Sequence, residues 1–434
     1  MDSAQLQKFD SAAYKRSRMA YRMECTFEYF VAILVGDAFL ASILTHIGFT
    51  DSEAGVVASF ITLAFLFQLI SVFVVRKITN TKLVAILFHS ASQVFFMSLY
   101  LIPFLPLATP IKKPLVVVCI LLAYFGNYMV STVIFRWGNS FVDPKKRASF
   151  TAGKEIISLI SGMVVSFGVG YVMDSFAASN NVKGGFIFAA ITIFVFSLCD
   201  FVTLMLIKND VKPKASGEDR VHMSEIIKNT LGNRNFISVV VLTILWDVSR
   251  FIVVGFMGTY KNSLYALGTI QIINISGNLM RALLSRPIGK YTEKRTFAKG
   301  IELGLIIAAT AMLVNVFTTP KTAFLVIIYT VLYSVCMAGV SGNLTNITYS
   351  YVDSRYFAEA SAIKNSIAGL FGFGASLVGG RILSFFQTNQ ESIAETVGFT
   401  VYGQQVLSAI SFVLFVITIL FTHFVVSKQK VMIQ

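Results

Sequence analysis

Residues 26–49 read TFEYFVAILVGDAFLASILTHIGF, and residues 236–259 read FISVVVLTILWDVSRFIVVGFMGT. Each stretch is apolar and long enough to cross a hydrocarbon core of ~30 Å as a helix. Each also carries one aspartate at the same place, Asp37 or Asp247, so the two carboxylates lie 210 residues apart (247 − 37). A charged residue near the middle of a membrane helix is uncommon, and its recurrence in a second span indicates an internal repeat.

The same interval of 210 residues recurs at other positions that are hard to exchange in a membrane helix. The matching pairs are Gly48 and Gly258, Arg76 and Arg286, Asp143 and Asp353, Lys154 and Lys364, Gly162 and Gly372, and Gly170 and Gly380. Many secondary transporters consist of two equivalent helical bundles with a binding site at their interface. The repeat therefore favours that class of protein.

The composition is that of a membrane protein. Of the 434 residues, 55% are hydrophobic and 13% are charged, and the mean hydropathy is +0.72. A soluble domain carries roughly 25% charged residues, so this chain could not cover a water-exposed surface. The apolar runs are continuous, whereas the strands of a transmembrane β-barrel alternate between apolar and polar residues. We therefore expect an all-α membrane protein.

The hydropathy pattern predicts about twelve membrane-spanning helices, six before and six after a polar segment. The predicted spans are 26–49, 53–75, 83–107, 114–141, 150–175, 184–207, 236–259, 264–284, 298–317, 322–349, 358–386 and 400–426. We expect this order to fold as two pseudo-symmetric six-helix bundles.

The polar segment divides the chain into three parts. Residues 1–207 are the predicted N-terminal six-helix bundle, 208–235 a cytoplasmic linker, and 236–434 the C-terminal six-helix bundle. Within the linker, Ser224 is followed by Glu225, Ile226, Ile227 and Leu231. This pattern is typical of an N-capped amphipathic helix on the membrane surface.

The net charge of +14 indicates a membrane-insertion signal rather than nucleic-acid binding. The cations are concentrated in the linker, in the first 25 residues and in the loops on one side of the predicted membrane. By the positive-inside rule, both termini are expected in the cytoplasm, with the chain crossing the cell membrane many times. The first 25 residues have no apolar core, so we expect no cleavable signal peptide. The expected state is a monomer in the lipid bilayer.

The sequence predicts no cofactor and no metal site. The four cysteines fall within or at the ends of predicted spans and show no CxxC spacing, so neither a disulfide framework nor a zinc site is implied. The chain contains no Walker loop, no His-Glu-x-x-His and no G-x-S-x-G. ATP-driven transport and hydrolysis therefore lack their usual motifs, and we do not expect an enzyme.

Two loops and the overall organisation resemble the major facilitator superfamily. Residues 143–147, DPKKR, followed by Gly153, are similar to that superfamily's loop between spans four and five. Residues 76–82 and 289–295 stand where the superfamily carries a conserved basic signature; they keep its basic residues and lack its aspartate. The resemblance covers essentially the whole chain, and it implies alternating access between two bundles.

The two aspartates of the repeat are the first candidates for a functional role. A charge at the bilayer centre costs roughly 2.5–3.5 kcal/mol on insertion scales, so it should face a cavity or a partner. Arg250 follows Asp247 on the same helical face and can neutralise it. Asp37 has no such neighbour in its own helix, which makes it a candidate proton- or cation-coupling site. The alternative is a structural ion pair of Asp37 with Arg136.

Polar side chains on the predicted membrane helices form the candidate substrate site. In span eight they recur every three or four residues and therefore line one helical face. The alternative is interhelical hydrogen bonding, worth roughly 0.6 kcal/mol per contact. The candidate substrate-binding residues are Gln68, Arg136, Asp247, Arg250, Gln271, Asn274, Asn278, Arg281, Asn343 and Asn346.

Two repeat-related charge pairs form a candidate cytoplasmic gate. Arg76 with Asp143, and Arg286 with Asp353, lie at the predicted cytoplasmic ends of spans two, four, eight and ten. Opposite charges there can hold a gate shut and exchange partners when it opens. The resemblance implies the same role, whereas the alternative is a set of solvated charges that only direct insertion.

These features together predict a secondary active transporter. We expect it to move a small polar organic solute, sugar-like or an organic anion, by alternating access coupled to H+ or another cation such as Na+. An exporter of amphipathic compounds or drugs is one alternative. A membrane receptor that binds but does not transport is the other.

Overall fold

The structure is a computed structural model that describes residues 9, 11–74, 81–143, 147–208, 232–352 and 357–429. Within these residues every regular element is a helix, as predicted. The predicted amphipathic helix of the linker falls on residues outside the described ranges.

The helices of the first half follow the predicted order of spans one to six. They are α1 (Ala12–Leu34), α2 (Asp37–Ile47), α3 (Asp51–Ala58), α4 (Ala64–Val74), α5 (Thr81–Leu101), α6 (Thr109–Asn139), α7 (Arg147–Ala178) and α8 (Val182–Leu206). A short 3-10 turn, Ser59–Thr62, lies between α3 and α4.

The helices of the second half follow spans seven to twelve. They are α9 (Arg234–Phe251), α10 (Met257–Leu264), α11 (Leu267–Lys294), α12 (Phe297–Val316), α13 (Leu325–Tyr349), α14 (Phe357–Thr388), α15 (Gln390–Val397) and α16 (Gly403–Phe424). A 3-10 turn at Val254–Phe256 separates α9 from α10 within the seventh span.

Ten helical segments of the described chain are long and apolar enough to cross a membrane, and the bent pair of α1 and α2 brings the number to eleven. The segment missing from this set is α11, a helix of 28 residues. Its polar face, predicted from the sequence of span eight, lowers its hydropathy. The chain is therefore a multi-pass membrane protein, and all twelve predicted spans coincide with helices.

The first span differs from its prediction in two ways. Its helix begins at Ala12 instead of residue 26, because an amphipathic stretch there buries Tyr14 and Tyr21. The helix then breaks after Leu34 and continues at a bend of 43° from Asp37. Asp37 therefore begins a helix, whereas the sequence placed it inside one.

The described residues form two compact units. Unit 1 is built from those of Met1–Gly48 and Phe67–Asp219, and unit 2 from those of Phe49–Leu66 and Arg220–Gln434. The segment Phe49–Leu66 precedes the linker in sequence but makes its contacts within unit 2. The second boundary between unit 1 and unit 2 falls within the polar linker.

Aromatic side chains dominate the core of unit 1. The rings of Tyr21 and Phe150 are stacked with centroids 6.2 Å apart, and the rings of Tyr14 and Phe141 meet edge to face at 5.1 Å. Such pairs are each worth about 0.5–1.5 kcal/mol beyond the area that they bury. They anchor the N-terminal part of α1 against α7 and against the turn that follows α6.

Unit 2 contains a seam of small residues between the Phe49–Leu66 segment and α14. The Ser376 and Ser59 hydroxyls lie 2.7 Å apart, and the Ser52 hydroxyl donates to the Gly380 carbonyl at 2.7 Å. A Cβ atom built on Gly369 would lie 2.3 Å from the Thr62 carbonyl oxygen. Glycine is therefore required there for the two backbones to meet.

We predict that Gly369→Ala lowers the unfolding temperature in detergent. Forcing a methyl group against backbone typically costs about 1–3 kcal/mol. Gly374→Ala is the matched control on the same helix, because a Cβ built there meets no atom within 4 Å. Both changes gain the same helix propensity, so equal melting temperatures for the two variants would contradict the packing of this seam.

Candidate functional site

Helix α9 carries a buried ion pair. The Asn233 side chain caps this helix by accepting from the Asn235 amide at 2.9 Å. Further along, Arg250 Nε donates to Asp247 Oδ1 at 3.0 Å, and a second guanidinium nitrogen lies 2.9 Å from the same oxygen. Only 5% of the Asp247 side chain is exposed. The local neutralisation expected from the three-residue spacing is therefore present.

The Asp247–Arg250 pair lies among other polar and aromatic groups of unit 2. The Arg250 guanidinium lies 4.2 Å from the Phe251 ring centroid and interacts electrostatically with Tyr333 of α13. Lys364 of α14 is buried, interacts electrostatically with Asp247, and donates to a hydroxyl of α13 at 3.1 Å. Two cationic side chains thus accompany one carboxylate, and we call Asp247, Arg250 and Lys364 the unit 2 charge cluster.

Sequence reasoning did not assign a role to Lys364. The signal was available, because a lysine seven residues inside predicted span eleven matches Lys154 of the first repeat. Lys154 also faces the interior of its unit, where its Nζ donates to the Cys25 thiol sulfur at 3.2 Å and lies 4.9 Å from the Tyr21 ring centroid. The repeat therefore places one interior lysine in each unit.

The polar face of α11 is partly engaged by neighbouring side chains. Gln271 is buried, and Asn274 is half-buried and accepts from Lys261 Nζ at 3.2 Å. Asn278 and Arg281 are both half-buried. The predicted polar face thus lies partly inside unit 2. A second buried lysine of this unit, Lys261, lies next to it.

The two asparagines of α13 have different surroundings. Asn343 is buried, and its amide donates to the Gly339 carbonyl at 2.7 Å and to Thr292 of α11 at 3.2 Å. The second of these contacts is an interhelical hydrogen bond of the kind weighed as the alternative to a binding role. Asn346 is exposed in the described structure.

Asp37 lies at the break of the first span. Its φ of +43° is in the left-handed region, and Gly36 before it is extended. The side chain is exposed, and its carboxylate stands in the first turn of α2, where the helix dipole favours a negative charge. Arg136 belongs to α6, but its side chain lies outside the described part of the structure, and so does the proposed pair with Asp37.

The structure describes three of the remaining candidates, one for the solute site and two for the gate. Gln68 in α4 is half-buried, and its side-chain oxygen has no hydrogen-bond partner among the described residues. Asp143 is half-buried and Arg286 is exposed. Their predicted gate partners, Arg76 and Asp353, lie outside the described ranges, so both charge pairs remain predictions.

No family model matches the sequence, and no curated protein matches it. Solved structures do resemble its fold. The nucleoside transporter NupG has a TM-score of 0.66 at 13% identity, with 97% of this chain and 100% of that chain covered. A bacterial homologue of the human lysosomal transporter Spinster has a TM-score of 0.67 at 14% identity, with 96% of this chain and 98% of that chain covered. A proton-dependent oligopeptide transporter has a TM-score of 0.67 at 14% identity, with 94% of this chain and 97% of that chain covered.

These three structures share the architecture that the repeat and the loops of this sequence predicted. Their sequence identity to this chain is low, so the likeness concerns the fold. The chain shares its fold with these transporter structures over almost its whole length.

Proposed function

We propose that this protein is a secondary active transporter of the cell membrane. In this proposal it moves a small polar organic solute by alternating access, coupled to H+ or another cation. The observation that supports it most directly is the unit 2 charge cluster, which places three charged side chains within membrane helices. Intramembrane ionisable residues that face a cavity or a partner commonly mark transport pathways.

The charge balance of the cluster favours an anionic solute. Arg250 is paired with Asp247, whereas the Lys364 ammonium donates to the neutral Thr348 hydroxyl. A buried cation is costly unless an opposite charge lies near it. A carboxylate or another acidic group on the solute would supply that charge, so we narrow the predicted class from sugar-like or anionic solutes to organic anions.

The polar face of α11 would complete the solute site. Gln271, Asn274, Asn278 and Arg281 provide hydrogen-bond donors and acceptors along one helix of the same unit. A small polar solute needs several such groups to replace its hydration shell. Gln68, Arg136, Asn343 and Asn346 remain candidates for the same role on other helices.

Asp37 is the proposed coupling residue. It stands at the end of one helix segment and the start of another, and interrupted helices are frequent at the ion and substrate sites of transporters. An exposed carboxylate at such a break can exchange protons with a water-filled pathway. The structural resemblance to a proton-dependent oligopeptide transporter supports the choice of H+ as the coupling ion.

The proposed orientation places both termini in the cytoplasm. The concentration of cations in the loops of one side supports it by the positive-inside rule. On that side, Arg76 with Asp143 and Arg286 with Asp353 would form the cytoplasmic gate.

We predict that Lys364→Gln selectively impairs uptake of organic anions. Loss of a charged hydrogen bond typically costs about 1.5–3 kcal/mol, so kcat/KM should fall about tenfold or more. Lys321→Gln, at an exposed lysine between α12 and α13, should leave uptake unchanged. Equal losses for anionic and neutral solutes would contradict the role assigned to this charge.

We predict that Asp37→Asn abolishes gradient-driven accumulation but spares exchange of solute across the membrane. The amide keeps the size of the side chain but cannot gain or lose a proton. The measurement is solute uptake into proteoliposomes under an imposed pH gradient, beside counterflow at equal pH. The control is Asp174→Asn, on α7. Intact pH-driven accumulation in Asp37→Asn would exclude the coupling role.

A further inference from the structure

Three ionisable side chains converge inside unit 1. Glu24 of α1, His89 of α5 and Asp200 of α8 have exposed fractions of 0%, 0% and 1%. One ligand-type atom from each of these residues lies within 4.8 Å of those of the other two. The cluster is distinct from every residue assigned above to the solute, the coupling ion or the gate.

The internal contacts of this cluster use only part of its hydrogen-bonding capacity. His89 Nε2 lies 2.8 Å from Asp200 Oδ2 and 3.3 Å from the amide nitrogen of Gln93. Glu24 Oε2 accepts from the neighbouring Cys25 thiol at 3.1 Å. Glu28, one turn further along α1, adds another carboxylate within electrostatic range of Glu24.

One polar atom of each member remains unpartnered in a buried position. Glu24 Oε1, Asp200 Oδ1 and His89 Nδ1 have no hydrogen-bond partner among the described residues. Each buried polar atom left in this state costs about 1–3 kcal/mol. Whichever tautomer His89 adopts, its Nδ1 is either a lone pair without a donor or an N–H without an acceptor.

A divalent metal ion held by His89 Nε2 would satisfy the two carboxylates, and the proton that His89 otherwise shares with Asp200 would leave on binding. Two ionised carboxylates supply two negative charges, and a neutral imidazole supplies a nitrogen ligand. A mixed set of nitrogen and oxygen donors suits zinc, cobalt, manganese or iron. It does not suit calcium, which takes six to eight oxygen ligands. Metal–ligand bonds of about 2.0–2.2 Å require only a modest closing of a cluster of this size.

We propose that Glu24, His89 and Asp200 bind a divalent transition-metal ion within unit 1. The ion would join α1, α5 and α8 through one donor atom from each of these helices. This proposal departs from the sequence-based expectation of no metal site. It is independent of the proposed transport function, since metal binding can be measured without any solute.

The test is metal binding to the purified full-length protein in detergent. After removal of bound metal with a chelator, Co2+ titration followed by visible absorption should show one ion per chain, and Zn2+ should displace it. Glu24→Gln, His89→Asn and Asp200→Asn should lose this stoichiometric binding. His46→Asn, at a histidine of α2 outside the cluster, should retain it.

Thermal unfolding of the same samples separates metal binding from loss of fold. Zn2+ should raise the unfolding temperature of the wild type and of His46→Asn, because an ion that binds only the folded chain stabilises it. The three ligand variants should elute as folded protein and show no such rise. Absence of stoichiometric Co2+ in the folded wild type, or its retention in Glu24→Gln and Asp200→Asn, would overturn the proposal. A pH-dependent but metal-independent unfolding temperature would instead indicate a shared proton.

Discussion

Charged side chains in the interior of a membrane protein must have partners, because little water is available there to solvate them. A charge at the bilayer centre costs roughly 2.5–3.5 kcal/mol on insertion scales, which is a large fraction of the stability of a protein. In this protein the requirement is met locally in Asp247 and Arg250, which lie three residues apart on one helix. Two different helices supply the partners in the case of His89 and Asp200, where His89 Nε2 lies 2.8 Å from Asp200 Oδ2.

The same constraint connects structure to proposed function. Where the partners within the protein do not balance, as with Lys364 beside an already paired aspartate, the remaining charge can be compensated by a solute. A solute that supplies the missing charge binds where water is excluded, and its electrostatic interactions are strengthened there. Binding and release at such a site then depend on which side of the membrane can open to it.

Close packing of backbones is a second constraint on this protein. Small residues such as Gly369, Ser376 and Ser59 let α14 approach the Phe49–Leu66 segment without interlocking large side chains. Small residues at such a contact bring the backbones close together and strengthen the van der Waals packing between helices. The break before Asp37 adds a point at which the first span can change direction.

Features set by local sequence could be predicted, and features set by the rotation of helices could not. The hydropathy pattern located the helices, and the spacing of Asp247 and Arg250 placed them on one face. The contacts of Phe49–Leu66 with unit 2 depend on tertiary packing, and no sequence periodicity records them.

The convergence of Glu24 with His89 and Asp200 likewise depends on three helices facing one another across long intervals of sequence. Each residue alone is a polar side chain in or beside an apolar run, and their meeting could not be inferred from spacing. The break of the first span could have been predicted from the sequence, because Gly36 directly precedes Asp37 and glycine weakens a helix.

Solute uptake into proteoliposomes shows whether this protein carries an organic anion across the membrane. Organic anions, sugars and amino acids would be screened under imposed pH and voltage gradients, with folded protein confirmed after reconstitution. The account predicts saturable accumulation of an organic anion that follows the proton gradient. No uptake of any solute in the panel, or saturable binding without accumulation, would contradict the proposed transport of an organic anion.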